Sequence, residues 1–536
     1  MTKCACLLLL LVVSSSTAFQ TASVYKTDEG LKIVEGLDPN AVAYATYNDT
    51  VNENGWKVLE IAAGYSSQGF VDCDIMSAAG MLEGYLTQKD IFNMFTSLSN
   101  ESFSGHSLEY IKKVKEFYED QREWMQEMIN STERSSSFWY YTALILKQFD
   151  GMKTGYALAA TQAQQLEDFA FDFLSGNGDY LDIAHFVNPG SRPDVSTLSK
   201  NEIIDLMNKG HCSALIKILS GYENVYAAHS SWYIYTAMNR IFKHYTFRVH
   251  NEYSMPATQR MSFSSYPGYL SSLDDFYIMD SGLVMLQTTN SIYNKTLYDY
   301  STPKALLAWH RVRLANWLAE GGKDWADIVS QYNSGTYNNQ YMVLDMKKIE
   351  LKKAVHDDAL WVVEQIPGLV ESGDQSSILR AGYWPSYNVP FYETIFQVSG
   401  YAAAEQKFGA DVSYQLCPRA KIFRRDQANV KDMDTMQYIM RFNDYQNDPY
   451  SEGNPMNSIC SRGDLKNPPF AGGCYDTKVT DYNMAKSLQS FAQNGPTHQN
   501  LPPFRWSSSG LDPMPMHLGQ PDVFNFTFVL MEPKIP

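Results

Sequence analysis

Cys212 is the residue whose type and surroundings most directly suggest chemistry. It lies in the segment Gly210-His211-Cys212-Ser213, where Gly210 ends a predicted helix. If the chain is cut before Cys212, one residue carries both a nucleophilic thiol and a free α-amine. The ordinary pKa of such an amine, about 7.7 to 8.0, suits a base near neutral pH. The competing interpretation is an ordinary buried cysteine, because free cysteine is among the most buried residue types.

The first 22 residues predict entry into the secretory pathway. They contain Lys3, an apolar run over residues 7–13, and small polar residues that end at Ala18. This pattern is typical of a signal peptide, and its apolar run is too short to span a bilayer. We therefore expect a lysosomal or extracellular protein, with 1–22 as the signal segment.

Glycosylation sequons fit that route, because N-x-S/T triplets mark acceptor sites in secreted proteins. Five asparagines have Ser or Thr two residues later and no intervening proline: Asn48, Asn100, Asn130, Asn294 and Asn525. As a group, they predict a glycoprotein.

The cysteines beyond residue 22 are odd in number, which leaves one thiol unpaired or in an intermolecular bond. They are Cys73, Cys212, Cys417, Cys460 and Cys474. Cys460 and Cys474 flank a turn-rich stretch and are predicted to form a local disulfide. Cys73 and Cys417 are left unassigned.

Composition restricts the class of protein. The chain has 536 residues, 44% of them hydrophobic, and no low-complexity linker, which favours one compact body. Its formal charge of -16 argues against nucleic-acid binding. His356-Asp357-Asp358 lacks the histidine pair of a zinc site, so no metal or other cofactor is expected.

Hydrophobic periodicity predicts a mixture of helices and strands. The predicted helices cover residues 107–129, 139–166, 201–209 and 304–318. The predicted strands cover residues 213–219, 225–228, 276–279, 283–288, 340–344 and 524–530. The first two of these strands form a hairpin, which would fold His229 and Trp232 back towards Cys212.

Eight segments in order, spread along most of the chain, carry a resemblance to a known family. They are AAGMLEGYLT (78–87), HCSALIK (211–217), AHSSW (228–232), NSGTYNNQ (333–340), YWPSYNVP (383–390), PRAKIFRRD (418–426), MRFNDY (440–445) and SRGDL (461–465). With these segments the chain resembles the phospholipase B-like proteins, also called the laminin-ancestor-like family.

The resemblance implies an α+β fold of the N-terminal-nucleophile hydrolase type, a four-layer αββα sandwich. It also implies autocatalytic cleavage between His211 and Cys212. Residues 23–211 would then form a helix-rich N-terminal fragment that stays associated with the C-terminal fragment 212–536 in one compact domain.

The resemblance further implies a set of site residues around Cys212. His229 would orient or polarise the thiol, and Trp232 would form an apolar wall and donate its indole N–H. Asn388 and Arg419 are the candidates for stabilising an oxyanion, since an amide N–H or a guanidinium can donate to it. Asn338 and Asn339 compete with Asn388 for the amide role. For His229 and Trp232, core packing is an equally good interpretation.

The expected activity is that of a hydrolase without a cofactor, which releases fatty acyl chains from glycerophospholipids through a Cys212 acyl-enzyme. Two alternatives stay open. One is an amidase for N-acyl amides or N-acylated lipids, and the other is a noncatalytic lumenal glycoprotein for lipid binding or adhesion. The expected partners are a lipid or N-acyl substrate and, transiently, a membrane surface.

Overall fold

The computed structural model describes residues 19–132, 136–199, 202, 212–249 and 255–535. Its helices are Val51–Asn54, Asp72–Leu86, Gln88–Phe103, Leu108–Thr132, Ser137–Ala159, Asp168–Ser175, Asn177–Val187, Ala308–Leu318, Gly322–Val329, Ser376–Arg380, Glu393–Val398, Tyr401–Phe408, Pro418–Asp426, Met433–Arg441 and Tyr482–Lys486. The predicted helix 201–209 and the bond before Cys212 lie outside the described residues, apart from Glu202.

The strands form two large sheets and two small two-stranded pairs. In chain order they are β1 Phe19–Thr27, β2 Gly30–Glu35, β3 Ala43–Thr50, β4 Trp56–Ala63, β5 Cys212–Ile218, β6 Val225–Ile234, β7 Ile241–Phe247, β8 Arg260–Ser265, β9 Tyr277–Met279, β10 Leu283–Thr289, β11 Asn339–Asp345, β12 Ile349–Glu350, β13 Ala354–Val355, β14 Leu360–Ile366, β15 Leu369–Asp374, β16 Tyr383–Ser386, β17 Gly472–Asp481, β18 Ser490–Asn494, β19 Phe504–Arg505, β20 Val523–Phe524 and β21 Val529–Met531.

The larger sheet has the strand order β15-β14-β11-β10-β9-β8-β7-β4-β3-β1-β2, and the smaller has the order β16-β5-β6-β17-β18-β21. Strands from both sides of position 212 build the larger sheet, because β4 pairs in parallel with β7 over seven residues, from Lys57 opposite Ile241 to Ala63 opposite Phe247. The helices and the several sheets are together compatible with the predicted α+β class.

Alternation along the strands gives each sheet two apolar faces. In β5, Ala214 and Ile216 belong to a core shared with β10, β11 and β14 of the larger sheet. Leu215 points the other way, into a core formed with the helices Pro418–Asp426 and Met433–Arg441. The helices Asp72–Leu86 and Ser137–Ala159 cover the far face of the larger sheet. Both sheets are therefore covered by helices on one face and share an apolar core on the other.

The two helices that cover the larger sheet approach each other closely. A Cβ atom at Gly80 or Gly84 would collide with the backbone of Gln148 or Met152, and one at Gly151 or Gly155 with the backbone of the first helix. The missing side chains are what let the two backbones touch.

Four predicted elements differ from the structure in extent. The strand predicted over 225–228 continues to Ile234, and the helix predicted over 304–318 begins at Ala308. The helix predicted over 139–166 ends at Ala159, and a short 3₁₀ turn follows at Gln162–Gln164. The strand predicted over 524–530 is divided between β20 and β21, with Phe526 between them accepting a hydrogen bond from the Gln493 side chain at 2.5 Å.

The start of β1 falls inside the segment assigned to the signal peptide. Phe19 to Ala22 pair with β3, and Ala22 is completely buried between β2 and β3. The described fold therefore includes the last four residues of that segment, 19–22. In the described ranges, no helix is long and apolar enough to cross a membrane.

Candidate active site

Cys212 is the first residue of β5, a strand held on both sides within the smaller sheet. On one side it lies opposite Ser231 of β6, and on the other side β16 joins the strand where Ser386 lies opposite Ala214. The side chain of Cys212 is only 5% exposed. A nucleophile in this position is carried by rigid structure, which fixes its geometry better than a loop would.

Asn388 contacts the backbone nitrogen of Cys212. The Cys212 N–H donates to Asn388 Oδ1 at 3.0 Å, while Asn388 Nδ2 donates to the carbonyl oxygen of Thr289 at 2.6 Å. Asn388 follows β16 with a φ of +66°, a left-handed conformation that asparagine tolerates better than most residues. The side-chain oxygen of Asn388 therefore accepts from Cys212, whereas its amide nitrogen donates to Thr289.

Arg419, in the helix Pro418–Asp426, contacts both the backbone of Cys212 and the side chain of Asn388. Its Nη1 donates to the Cys212 carbonyl oxygen at 2.6 Å and to Asn388 Oδ1 at 2.8 Å, and its Nη2 donates to the Tyr387 carbonyl oxygen at 2.7 Å. Pro418 places Arg419 in the first turn of its helix, where a proline is well tolerated. Burial lowers the pKa of Arg419 to about 10, so the guanidinium is still charged at neutral pH.

Trp232 lies beneath this guanidinium, whose carbon is 4.4 Å from the ring centroid. The indole N–H donates to the carbonyl oxygen of Ile459 at 3.2 Å, and the ring packs on the disulfide between Cys460 and Cys474. Trp232 also lines the pocket that contains Cys212. Its side chain thus supports Arg419, while its indole N–H is bound to the backbone.

His229 lies opposite Ala214, two positions along β6 from the partner of Cys212. Its Nε2 donates to the carbonyl oxygen of Gln287 at 2.7 Å, and its Nδ1 lies 3.2 Å from Lys478 Nζ. Burial, followed by the charge of Lys478, holds the pKa of His229 well below its usual value. Both ring nitrogens of this neutral imidazole are therefore engaged away from the thiol.

Asn338 and Asn339, the competing amides, belong to other networks. The Asn338 side chain donates to Asp182 Oδ2 at 3.1 Å, and that of Asn339 donates to the Tyr341 hydroxyl at 3.1 Å. Asn388 is thus the predicted amide that the structure brings to Cys212.

The thiol lies in a narrow pocket at one end of the space between the sheets. Polar and aromatic side chains surround it, among them Ser231, Tyr233, Asp274, Thr289, Tyr337 and Tyr475. The pocket has a volume of about 20 Å³, roughly enough for one water molecule. Burial raises the pKa of the Cys212 thiol to about 12, although a hydrogen bond from the Trp232 backbone and the charge of Lys478 act in the opposite direction.

Four buried charges behind this pocket were not foreseen from the sequence. Lys478 Nζ lies 2.6 Å from Asp274 Oδ2 and 2.7 Å from Asp476 Oδ1, and Arg240 Nη2 contacts the same carboxylates at 2.9 and 2.8 Å. None of the four is more than 3% exposed. The spacing of Asp476 and Lys478 in a strand was the available signal, because residues two apart in a strand lie on the same face.

The structure also locates the residues predicted for modification. Cys460 and Cys474 form the predicted disulfide. Cys73 is an exposed free thiol and Cys417 a buried one. The sequon asparagines fall into two groups: Asn100, Asn130 and Asn525 are exposed, and Asn48 and Asn294 are half-buried.

Comparison with known proteins identifies the family of this chain. The family model described as Phospholipase B matches residues 43–531. Phospholipase B-like 1 of Rattus norvegicus is 49% identical over 97% of this chain and 93% of its own length, and Phospholipase B-like 1 of Homo sapiens is 47% identical over 96% and 91%. Phospholipase-B 81 of Drysdalia coronoides is 46% identical over 99% and 96%. The chain therefore belongs to the phospholipase B family.

Proposed function

We propose that this protein is a lumenal cysteine hydrolase of the N-terminal-nucleophile type, which cuts itself before Cys212 and then releases fatty acyl chains from glycerophospholipids. The observation that carries the proposal is the hydrogen bond from the Cys212 nitrogen to Asn388 Oδ1. The atom that would become the α-amine already has a side-chain acceptor, which it shares with Arg419. Every buried backbone N–H needs an acceptor, and here a side-chain oxygen supplies it.

Maturation follows from the same groups. The thiol adds to the preceding carbonyl carbon, the C–N bond breaks, and the thiol proton leaves on the new amine. Water then hydrolyses the resulting thioester and frees the N-terminal fragment's carboxyl end. Because β1–β4 complete the larger sheet through β7, the fragments 23–211 and 212–536 would remain together after the cut.

Turnover repeats this chemistry on a substrate. The α-amine takes the thiol proton, sulfur attacks the acyl carbonyl, and the leaving alcohol takes the proton back as the thioester forms. Water then releases the fatty acid. Asn388 holds the amine, and Arg419 holds the Cys212 carbonyl and Asn388 in register. The phospholipid ester substrate is supported by family membership, since relatives carry the name phospholipase B.

Amide hydrolysis is the second candidate, because the self-cleavage of this proposal already breaks an amide bond at the same sulfur. The adhesion alternative has less support. Arg462, in the Arg462-Gly463-Asp464 tripeptide, is 1% exposed and paired with Asp464 at 2.6 Å, so its guanidinium is not presented at the surface.

The first test is N-terminal sequencing of the purified protein and of its Cys212→Ala variant. We expect a fragment that begins at Cys212 in the wild type and none in the variant. Cys417→Ala is the matched control, since Cys417 is also a buried free thiol with a raised pKa. A wild-type chain that stays intact in acidic, protease-containing medium would contradict the proposed maturation.

The second test compares a phospholipid ester with the matched N-acyl amide, using processed wild type and Cys417→Ala. Fatty acid release from the ester supports the proposed activity, and release from the amide alone selects the second candidate. Release from neither, with tight binding of both, favours the noncatalytic lipid-binding alternative.

A further inference from the structure

We propose that the Ser231 hydroxyl is the side-chain donor that stabilises the oxyanion formed when Cys212 attacks a carbonyl. This proposal rests on the proposed hydrolase function and adds a catalytic residue to it. Ser231 is the direct cross-strand partner of Cys212, and both side chains line the same pocket. Partners of this kind place their Cβ atoms about 5 Å apart on one face of the sheet.

The direction of the Ser231 hydroxyl follows from its neighbour. Lys478 Nζ lies 2.6 Å from Ser231 Oγ, and an ammonium group can only donate. The serine oxygen therefore accepts, and its own proton is left for another acceptor. Among the described residues, the acceptor recorded for it is His229 Nδ1 at 3.5 Å, which is long for a hydroxyl hydrogen bond.

An oxyanion in the pocket would be a much better acceptor. A hydroxyl donates to a charged oxygen at about 2.5–2.7 Å, and such bonds are roughly twice as strong as neutral ones. The neighbouring positive charge on Lys478 polarises the Ser231 hydroxyl further. Since Lys478 is held by Asp274 and Asp476, the oxygen it positions cannot rotate freely.

Three other donors near Cys212 are already used. Asn388 Nδ2 donates to Thr289, and Arg419 donates to the Cys212 and Tyr387 carbonyls. The backbone N–H of Trp232 is hydrogen-bonded to the thiol itself. Ser231, by contrast, lies opposite Cys212 on the same face of the sheet, and its proton has only the long contact to His229.

The reaction balances without proton transfer from Ser231. Sulfur bonds to the carbonyl carbon, the π electrons move to oxygen, and the thiol proton goes to the α-amine. Ser231 donates a hydrogen bond to the resulting O⁻ and keeps its proton when the intermediate collapses. Its contribution is therefore to the transition state, which predicts an effect on kcat with little effect on KM.

The test is Ser231→Ala beside the matched control Ser230→Ala. Ser230 is the adjacent buried serine, but its hydroxyl points to the opposite face, where it donates to the Met440 carbonyl at 2.8 Å. For Ser231→Ala we expect kcat to fall roughly 100-fold, as for loss of one oxyanion donor. KM and the pH profile of kcat/KM should stay unchanged, and Ser230→Ala should turn over like the wild type.

Two results would overturn the proposal. Equal kcat values for Ser231→Ala and Ser230→Ala would show that Ser231 does not stabilise the oxyanion. A shifted pH profile would mean that the hydroxyl acts on the thiol or the amine rather than on the oxyanion. Ser231→Thr retains the hydroxyl, so it should recover most of the activity if it folds, and a Thr variant that folds but is as slow as Ala also argues against the role.

The rate of self-cleavage tests the role of Ser231 independently of the proposed lipid activity. If the wild type matures but releases no fatty acid, the substrate is wrong, while the rate of fragment appearance still reports on Ser231. We then expect Ser231→Ala to mature roughly 100-fold more slowly than Ser230→Ala. Equal maturation rates would refute the role of Ser231 whatever the substrate.

Discussion

Replacing Arg419 by lysine should lower both the stability of the fold and the rate of self-cleavage, although the positive charge is retained. The guanidinium spans two directions at once, with Nη1 on the Cys212 carbonyl and Nη2 on the Tyr387 carbonyl. A lysine ammonium is a single point and cannot reach both oxygens. One buried carbonyl loses its donor in either case.

The magnitude follows from these contacts. A buried acceptor left without its donor costs about 1–3 kcal/mol. Loss of the planar cation from the face of Trp232 adds about 0.5–2 kcal/mol. Together, these losses in Arg419→Lys should lower the free energy of unfolding by about 1.5–5 kcal/mol, a large part of the roughly 5–15 kcal/mol of a native protein. Self-cleavage should slow at least tenfold, because the attacked bond adjoins the carbonyl that Arg419 holds.

The measurement uses urea unfolding in a Cys212→Ala background, which keeps every chain uncut, and fragment appearance on gels in the natural background. Arg424→Lys is the matched control, because Arg424 lies on the same helix but is exposed, and its hydrogen bonds within the described residues go to Gln415. If Arg419→Lys unfolds and matures like Arg424→Lys, the positioning argument is wrong.

Three further predictions concern the surroundings of the site. Asn388→Gly should keep the left-handed backbone and lose the contact to Cys212, so it should mature slowly yet melt higher than Asn388→Ala, as calorimetry would reveal. Replacing Cys460 and Cys474 together by alanine removes a cross-link over a separation of 14 residues and should cost about 3 kcal/mol in urea unfolding. Burial raises the pKa of Glu364 to about 7, above its value in the unfolded chain, so ionisation of Glu364 destabilises the folded state at higher pH. The urea concentration at the unfolding midpoint should therefore rise as the pH falls from 8 to 5. Glu364→Gln should weaken that dependence on pH.

The parts of the fold that could be predicted are those with local signals. The 108–132 helix has a strong repeat of apolar positions, and the hairpin of β5 and β6 has a short turn between two apolar runs. The disulfide spans a short turn-rich loop. In each case the residues that interact are close in sequence.

The larger sheet could not be predicted in the same way, because its pairings join distant segments. Nothing local in β4 indicates that Lys57 lies beside Ile241. The four buried charges behind the pocket could not be predicted for the same reason. Arg240 and Asp274 come from one part of the chain, and Asp476 and Lys478 come from another. The family resemblance alone pointed to Asn388 and Arg419, and it did not indicate which atoms of Cys212 they contact.

Those contacts give Asn388 and Arg419 complementary effects on the same nitrogen. Asn388 Oδ1 accepts an N–H, which the Cys212 nitrogen offers both as a peptide and as an amine, so the contact survives the proposed cut. Arg419 shares that oxygen at 2.8 Å and keeps its charge at neutral pH. A nearby positive charge disfavours a second one, so it should lower the pKa of the amine below the usual 7.7–8.0. A lower pKa leaves more of the amine unprotonated near neutral pH, so the charge of Arg419 acts in the direction that the proposed mechanism requires.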